Sequence, residues 1–268
     1  MYFNRQVIFR VLLKSTLIEI KELRVKFEIK KTRTQEQNVS KIELYNLSET
    51  TRANIKTEGE SVELYAGYGD DIALIFRGNI REVFHKKESE NIITTITAGD
   101  GDRAFSSSFV NTTLEANTSL QATIETLVSK LQGIKKGKIV GIEGLEGNKT
   151  ATTLTGTVRD ELDRLASKYD FSYTIENEVF NLVRNRQHTG LSEVISVDSG
   201  MLDAPIATEK GVDVKTLLNN NLRCNDLFRL ESKFLKRDYR IDELLFSGDT
   251  HSTEWFSILK GVSLGTSA

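Results

Sequence analysis

Asp100-Gly101-Asp102 has the spacing with which a calcium-binding loop begins. A complete loop of this kind also needs a third oxygen ligand two residues further on and a glutamate at its twelfth position. Ala104 and Asn111 occupy those two positions. The pattern therefore predicts a turn at the end of a strand, and it predicts no metal ion there.

The segment 133–138 (GIKKGK) is similar to a glycine-rich phosphate loop. Such a loop needs four residues between its glycines and a Ser or Thr after its lysine. Here three residues separate Gly133 from Gly137, and Ile139 follows Lys138. We interpret the segment as a solvated basic link, with anion binding as the alternative, and we predict no cofactor.

The histidines and the single cysteine do not form a recognisable catalytic or zinc motif. His85, His188 and His251 are far apart and lack the short spacings of zinc sites. Cys224 cannot form an internal disulfide because it has no second cysteine. A nucleophile pair of Cys224 with a distant histidine is conceivable, but the pattern favours a buried thiol.

Two groups of acidic residues are the densest in the chain, Asp160-Glu161-Asp163 and Asp242-Glu243. On the helix predicted around them, Glu161 and Asp163 lie off the apolar stripe, which is typical of a solvated face. A pair of carboxylates is also what a glycosidase requires. A cell-wall hydrolase that uses Asp160 or Glu161 therefore stays as an alternative function.

Aromatic residues offer a further kind of site. Trp255 and Phe256 are adjacent, and Tyr65, Tyr68 and Tyr173 are the other candidates for an exposed aromatic surface. Such a surface could bind sugar, which would make the chain a carbohydrate-binding β module. Because aromatic residues more often fill cores and interfaces, we predict that Tyr65, Tyr68, Trp255 and Phe256 lie at a subunit interface or in the core.

The stretch from 60 to 105 contains the strands that would organise these residues. Apolar residues alternate with polar ones in three runs separated by turn-forming clusters, which predicts three consecutive antiparallel strands. The second run places Ile72, Phe76 and Phe84 on one parity, and it is longer than a flat strand usually is. Gly78 lies in the middle of that run, where we expect a bend.

Alternation elsewhere predicts strands at 1–14, 17–30 and 40–47, a polar loop at 31–38, and a helix at 49–55 capped by Ser48. Six strands with one short helix suggest a small β-barrel. Helices are predicted at 119–131, with Thr118 and Gln121 as a capping box, and at 158–169, followed by a hairpin at 171–183. The chain then returns to strands. We predict a mainly β protein, α+β overall, with two small antiparallel β-barrel domains (1–105 and 196–268) flanking an α+β insert domain (106–195).

Composition excludes some classes of function. The 268-residue chain has a net charge of −2, so no strongly basic surface for sequence-specific nucleic-acid binding is expected. The apolar run 7–13 is interrupted by Arg10 and is too short to span a membrane. We therefore expect no membrane insertion, no secretion signal and a cytoplasmic place of synthesis.

Several short sequence fragments, taken in their order along the chain, resemble the baseplate hub family of long-tailed phages and of phage-tail-like contractile particles. The matching pieces are 42–48 (IELYNLS) with Arg52, 62–68 (VELYAGY), 76–80 (FRGNI), 96–101 (ITAGDG), 154–158 (LTGTV), 197–202 (VDSGML) with Pro205, 212–214 (VDV), 217–219 (LLN), 239–241 (YRI) and 248–249 (GD). Each piece alone is weak, and their common order carries the resemblance. Asn220 stands where the family often has proline.

The resemblance implies a structural protein without enzymatic activity or cofactor. It implies a homotrimer whose six barrel-like tube domains form a pseudo-six-fold ring around a channel for DNA. The implied partners are the tail tube or distal tail protein above, a trimeric spike protein below, and the tape-measure protein. The implied location is the tail baseplate of the virion, after assembly in the host cytoplasm.

Overall fold

A computed structural model describes residues 4–33, 38–233 and 235–264. Residues 1–3 of the first predicted strand and 34–37 of the predicted polar loop lie outside the described residues. In chain order the elements are β1 (Arg5–Leu13), β2 (Leu17–Ile20), β3 (Val25–Thr32), β4 (Val39–Tyr45), α1 (Glu49–Glu58), β5 (Gly59–Tyr68), β6 (Asp71–Glu88), β7 (Asn91–Gly99), α2 (Asp102–Ser107), β8 (Phe109–Leu114), α3 (Leu120–Lys130), β9 (Lys135–Val140), β10 (Thr152–Thr157), α4 (Val158–Tyr169), β11 (Phe171–Glu176), β12 (Val179–Arg184), β13 (Leu191–Ser196), β14 (Ile206–Ala207), β15 (Gly211–Leu217), β16 (Leu227–Glu231), β17 (Lys236–Asp249) and β18 (Trp255–Val262). The protein is therefore mainly β, as predicted.

Strands from both ends of the chain form one large sheet. Its order is β14-β15-β18-β17-β3-β4-β7-β6-β5-β1-β2, with β16 and β13 attached beside β17, and only β13 and β16 pair in parallel. The described strands form an open path from β14 to β2. No closed barrel is found among them, so the two predicted barrels are not confirmed.

The first and last predicted domains share a strand pairing and a core. β3 pairs with β17, with Phe27 opposite Gly248. On β3 the side chains of Val25, Phe27 and Ile29 are buried, and they join one apolar core that draws residues from 7–98 and from 195–259. A second core lies between residues 104 and 182. The exact domain boundaries stay a prediction.

β6 changes its strand partner halfway along its length. Its first half, up to Asn79, pairs with β5, and its second half, from Asn79 onward, pairs with β7. The change falls beside Gly78, where the sequence predicts a bend. A Cβ atom at position 78 would lie 2.6 Å from the carbonyl oxygen of Gly99 and 2.6 Å from the Phe76 ring. Only glycine allows this close approach of two strands.

The insert combines two helices with short strands. α4 begins after Thr157, whose side chain accepts a hydrogen bond from the Asp160 amide, and it has the predicted bounds. α3 begins after Ser119, whose hydroxyl accepts from the Ala122 amide, so the predicted Thr118–Gln121 capping box was wrong. Strand β9 includes most of the segment 133–138, which the sequence analysis interpreted as a solvated basic link.

Candidate assembly surfaces and the junction between sheet and insert

One face of the large sheet is exposed and polar from β15 across to the second half of β6. Alternation places most apolar side chains of these strands in the core and most of their polar side chains on this face, where the half-buried Leu245, Phe256 and Ile258 also lie. We call it the polar face. Its exposed and half-buried acidic residues are Glu28, Glu43, Glu82, Glu88, Asp213 and Glu243, and its basic residues are Lys26, Lys30, Lys41, Lys86, Lys215 and Lys260. Six acidic and six basic side chains therefore cancel.

Opposite charges are neighbours across the strands of the polar face. In the pairing of β3 with β4, Glu28 lies opposite Lys41 and Lys26 lies opposite Glu43. In the pairing of β17 with β18, Lys260 lies 3.0 Å from Glu243. Cross-strand pairing of this kind stabilises the sheet only modestly, and it leaves the face with no patch of a single charge.

The polar face ends on one side at an unpaired strand edge. Pairing of β6 with β5 stops at Asn79, so among the described strands only β7 pairs with the second half of β6. Phe84 lies on this half and is 56% exposed, although its parity predicted a place with Ile72 and Phe76. A β-bulge between Ile80 and Glu82 shifts the alternation and turns Phe84 outward.

The other end of the polar face is the edge formed by β14 and the segment before it. Ile206 of β14 is 66% exposed and Leu202 is 45% exposed. The Leu202 amide donates to the Lys215 carbonyl, so this segment follows the edge of β15. Two free edges with exposed apolar side chains therefore bound the same face, and free edges are templates for pairing with another chain.

The predicted interface tyrosines occupy different environments. The Tyr65 hydroxyl donates to Glu63 at 2.8 Å, and the Arg10 guanidinium lies 5.0 Å from the centre of the Tyr65 ring. Glu63 also pairs with Arg77 at 2.6 Å. Tyr68 is half-buried and packs edge-on against Trp255, with the ring centres 6.4 Å apart. The interface role of both tyrosines stays a prediction.

Trp255 and Phe256 point to opposite sides of β18. Trp255 is 1% exposed and packs edge-on against Phe27, with ring centres 5.5 Å apart. Of the two places that the sequence analysis left open for Trp255, it takes the core, and it cannot form an exposed sugar platform on this chain. Phe256 is half-buried beside Lys215, whose ammonium lies 4.3 Å from the centre of the ring.

The turn between β11 and β12 joins the insert to the large sheet. Glu176 pairs with Lys31 of β3 at 3.7 Å, and Asn177 accepts hydrogen bonds from the Arg77 amide at 2.9 Å and from Lys31 at 3.4 Å. Glu178 pairs with Arg77 at 3.4 Å. Every residue of this three-residue turn therefore contacts the sheet.

Asp100 lies beneath that turn with 3% of its surface exposed. Its Oδ1 accepts a hydrogen bond from the Asn177 amide, whereas its Oδ2 has no hydrogen-bond partner among the described residues. Burial raises the pKa of Asp100 to about 7, and Glu176 adds to the rise while Lys31 opposes it. Cys224 is also buried here, and burial together with Glu176 raises the pKa of its thiol.

Sequence analysis missed this junction. It assigned Lys31 to a polar loop and Asp100 to a turn at the end of a strand, and it did not predict that both side chains are buried. The parity of β3 contains a signal for Lys31, because Val25, Phe27 and Ile29 alternate into the core and Lys31 continues the series. Nothing local to Asp100 indicates its burial, since the turn that covers it comes from the hairpin at 171–184.

The acidic residues on α4 make structural contacts. Glu161 is 9% exposed, against the expectation of a solvated face, and it pairs with Arg164 at 2.5 Å while accepting from the Thr155 amide. Asp163 accepts a hydrogen bond from the Tyr173 hydroxyl at 2.5 Å. These contacts give the carboxylates of Glu161 and Asp163 a structural role in the packing of the insert.

The described residues contain no group of three or more His, Cys, Asp or Glu side chains arranged to hold a metal ion. Within the same residues, no helix is both long and apolar enough to cross a membrane.

Solved structures with the same fold are phage tail proteins and a secretion-system relative. The 43 kDa tail protein of prophage MuSo2 from Shewanella oneidensis has a TM-score of 0.67 at 11% identity, covering 97% of each chain. A tail protein from Neisseria meningitidis MC58 has a TM-score of 0.64 at 9% identity, also covering 97% of each chain. The Escherichia coli c3393 protein, a component of the type VI secretion system, has a TM-score of 0.62 at 9% identity over 96% of this chain and 77% of its own. The fold is thus that of phage-tail proteins.

The baseplate hub gp41 family matches residues 6–261, nearly the whole chain. The chain therefore belongs to this family, and it is a structural baseplate hub protein of a phage tail or a phage-like particle. The resemblance to baseplate hub proteins, which the order of short sequence fragments indicated, is confirmed. No curated protein matches the chain.

Proposed function

We propose that this protein is a non-enzymatic symmetry adaptor that assembles as a trimeric ring at the tail baseplate. Residues 1–105 and 196–268 act as two barrel-like tube units, and 106–195 form the insert. Three copies then supply six tube units, which match a three-fold spike to a six-fold tail tube. The observation that carries the proposal is one continuous polar face bounded by a free strand edge at each end.

The two free edges differ from each other, and this favours a ring. When one edge of a copy binds the other edge of the next copy, the contact is head-to-tail, and such contacts close into rings when the rotation permits. In the proposed contact the second half of β6 pairs with the β14 edge of a neighbour. Phe84 and Ile206 are then removed from water together, which offsets part of the cost of association.

The polar face is proposed to line the channel of that ring. A strongly basic lining would hold DNA through its phosphates, and a strongly acidic one would repel it. Six acidic and six basic side chains on the polar face avoid both extremes. The proposed face therefore lets DNA pass without sequence-specific or tight binding.

The proposed partners are a tail tube or distal tail protein above the ring, a trimeric spike protein below it, and the tape-measure protein. Solved relatives support spike-type partners, since the Escherichia coli c3393 protein is described as similar to the T4 tail proteins gp27 and gp5. A PdpA–VgrG complex from Francisella also has this fold, with a TM-score of 0.57 at 7% identity, and it covers 97% of this chain and 58% of its own. Tyr65, Tyr68 and Phe256 remain proposed interface residues.

Chemical cross-linking tests the head-to-tail contact. The double variant Phe84→Cys/Ile206→Cys, treated with a short bismaleimide, should give covalent dimers and trimers. Phe84→Cys alone should give none, because position 84 faces position 206 of the neighbour and not another position 84. Unchanged protein controls for Cys224, which is buried. Cross-linking of the single variant, or none in the double variant, would refute the contact.

A further inference from the structure

The insert is attached to the sheet by a turn whose contacts are mostly charged. Glu176 and Lys31 form an ion pair with side chains 6% and 0% exposed. Such a pair depends on its geometry, since the cost of removing two charges from water is large and must be offset by their attraction and by further hydrogen bonds. The Lys31 ammonium also donates to Asn177, which provides one of those bonds.

Asp100 adds a third ionisable group to this buried cluster. The groups around it are Lys31 from β3, Glu176 from the turn and Asp102 at the start of α2, with Cys224 packed against Glu176. When Asp100 is neutral, Lys31 balances Glu176, and Asp102 is balanced by its ion pair with Arg81. When Asp100 is ionised, the cluster carries an excess negative charge, and Glu176 on the insert is repelled by Asp100 on the sheet.

The hydrogen bonding of Asp100 is incomplete for a carboxylate. The bond that Oδ1 accepts from the Asn177 amide favours the ionised form, but Oδ2 has no hydrogen-bond partner among the described residues. An ionised carboxylate has about four lone-pair sites to satisfy, so burial with one bond disfavours the charged form. If the turn lifts from the sheet, water reaches Asp100 and solvates its charge.

We propose that the turn 176–178 is a proton-sensitive latch, which holds the insert tightly to the sheet while Asp100 is protonated and loosens once Asp100 is ionised. The proposal concerns one chain and holds whether or not copies assemble into a ring. Asp100 has a pKa of about 7 in the closed state, and a solvated carboxyl has the ordinary value of 3.8. These two values set the pH range over which opening of the turn changes. Opening should rise about tenfold per pH unit between pH 5 and 7 and change little above pH 7.5.

Hydrogen–deuterium exchange of the full chain, followed by mass spectrometry, tests the latch. Protection of the hairpin 171–184, corrected for the intrinsic exchange rate at each pH, should fall roughly 50-fold from pH 5 to 7 and then level off. Peptides from α3 are the internal control and should keep constant protection. Asp100→Asn, which imitates the neutral acid, should keep the hairpin protected at pH 8 as strongly as unchanged protein at pH 5.

Asp160→Asn is the matched control, because Asp160 is exposed on α4 of the same insert and contacts no residue of the junction. It should keep the full pH dependence. Constant hairpin protection of the unchanged protein between pH 5 and 7 would overturn the proposal without any variant. The same pH dependence in Asp100→Asn as in the unchanged protein would also overturn it.

Discussion

Lys31 of β3 and Glu176 of the insert hairpin form an ion pair at 3.7 Å, with both side chains almost fully removed from solvent. The pair is one of the contacts between the large sheet and the insert, which have separate apolar cores. Its position makes it the first contact to test when the attachment of the insert is examined.

Lys31→Met should lower the free energy of unfolding by about 3–5 kcal/mol, because it leaves the Glu176 carboxylate buried without its partner. Urea unfolding followed by circular dichroism measures the change. Lys30→Met is the matched control, because Lys30 directly precedes Lys31 and its side chain is 58% exposed. This substitution should lower the free energy of unfolding by less than about 0.5 kcal/mol. Equal effects of the two substitutions would show that Lys31 is not structurally buried.

Asp100 should make the stability of the protein depend on pH in a defined window. Its pKa is raised to about 7 in the folded state from an ordinary 3.8, so the folded chain keeps a proton that the unfolded chain has released between those values. The free energy of unfolding should therefore fall as pH rises from 5 to 7, by up to about 1.4 kcal/mol per pH unit, and then level off.

The contribution of Asp100 is isolated by comparing the unchanged protein with Asp100→Asn at each pH, since all other titrating groups cancel in the difference. The variant should become the more stable of the two as pH increases. A difference that stays constant from pH 5 to 8 would contradict the raised pKa.

Gly78→Ala should destabilise the protein strongly, by about 3 kcal/mol or more, because the new methyl group would collide with the Gly99 carbonyl and the Phe76 ring. Gly69→Ala is the control, since a Cβ there meets no atom within 4 Å and costs only the strain of a positive φ, about 1–2 kcal/mol. Thermal unfolding ranks the two. A smaller effect at Gly78 than at Gly69 would remove the packing reason for glycine at the change of strand partner.

The local spacing of apolar residues correctly predicted those elements in which the tertiary contacts agree with that spacing. The bounds of α4 and the hairpin of β11 and β12 follow from local spacing, and the Ser48 cap of α1 follows from its residue type. The predicted strand 17–30 was wrong as one unit, since the chain leaves the sheet between Ile20 and Val25. The apolar positions change parity at that break, from Ile18 and Ile20 to Val25 and those that follow, so the pattern contains a sign of the break that the prediction overlooked.

Contacts between distant segments of the chain determine the features that the sequence did not predict. The outward turn of Phe84 depends on a bulge whose cause lies in the pairing with β7. The burial of Asp100 and Glu161 depends on segments that fold over them from elsewhere in the chain. Single-sequence patterns report which residues prefer an apolar side, but they do not report which distant segment covers a polar residue.

The balance of charges on the polar face can be changed in either direction. Glu28→Lys/Glu43→Lys should create a basic face that binds duplex DNA at low salt, with an affinity that falls steeply as salt is added. Lys26→Glu/Lys41→Glu changes the cross-strand partners of the same two residues and should bind no DNA. Fluorescence anisotropy with a labelled duplex measures both. DNA binding by the unchanged protein as tight as that of the Glu→Lys variant would contradict a neutral channel lining.

We propose that free strand edges at the two ends of the polar face join copies into a trimeric ring. The mass in solution, measured by analytical ultracentrifugation, tests it most directly. We expect a species of three 30.2 kDa chains, which Phe84→Lys and Ile206→Lys each reduce to monomer without loss of fold. Leu17→Lys, at the exposed edge strand β2 outside the proposed contact, should leave the trimer intact. A monomer at every concentration, or a trimer unaffected by Phe84→Lys and Ile206→Lys, would contradict assembly through these strand edges.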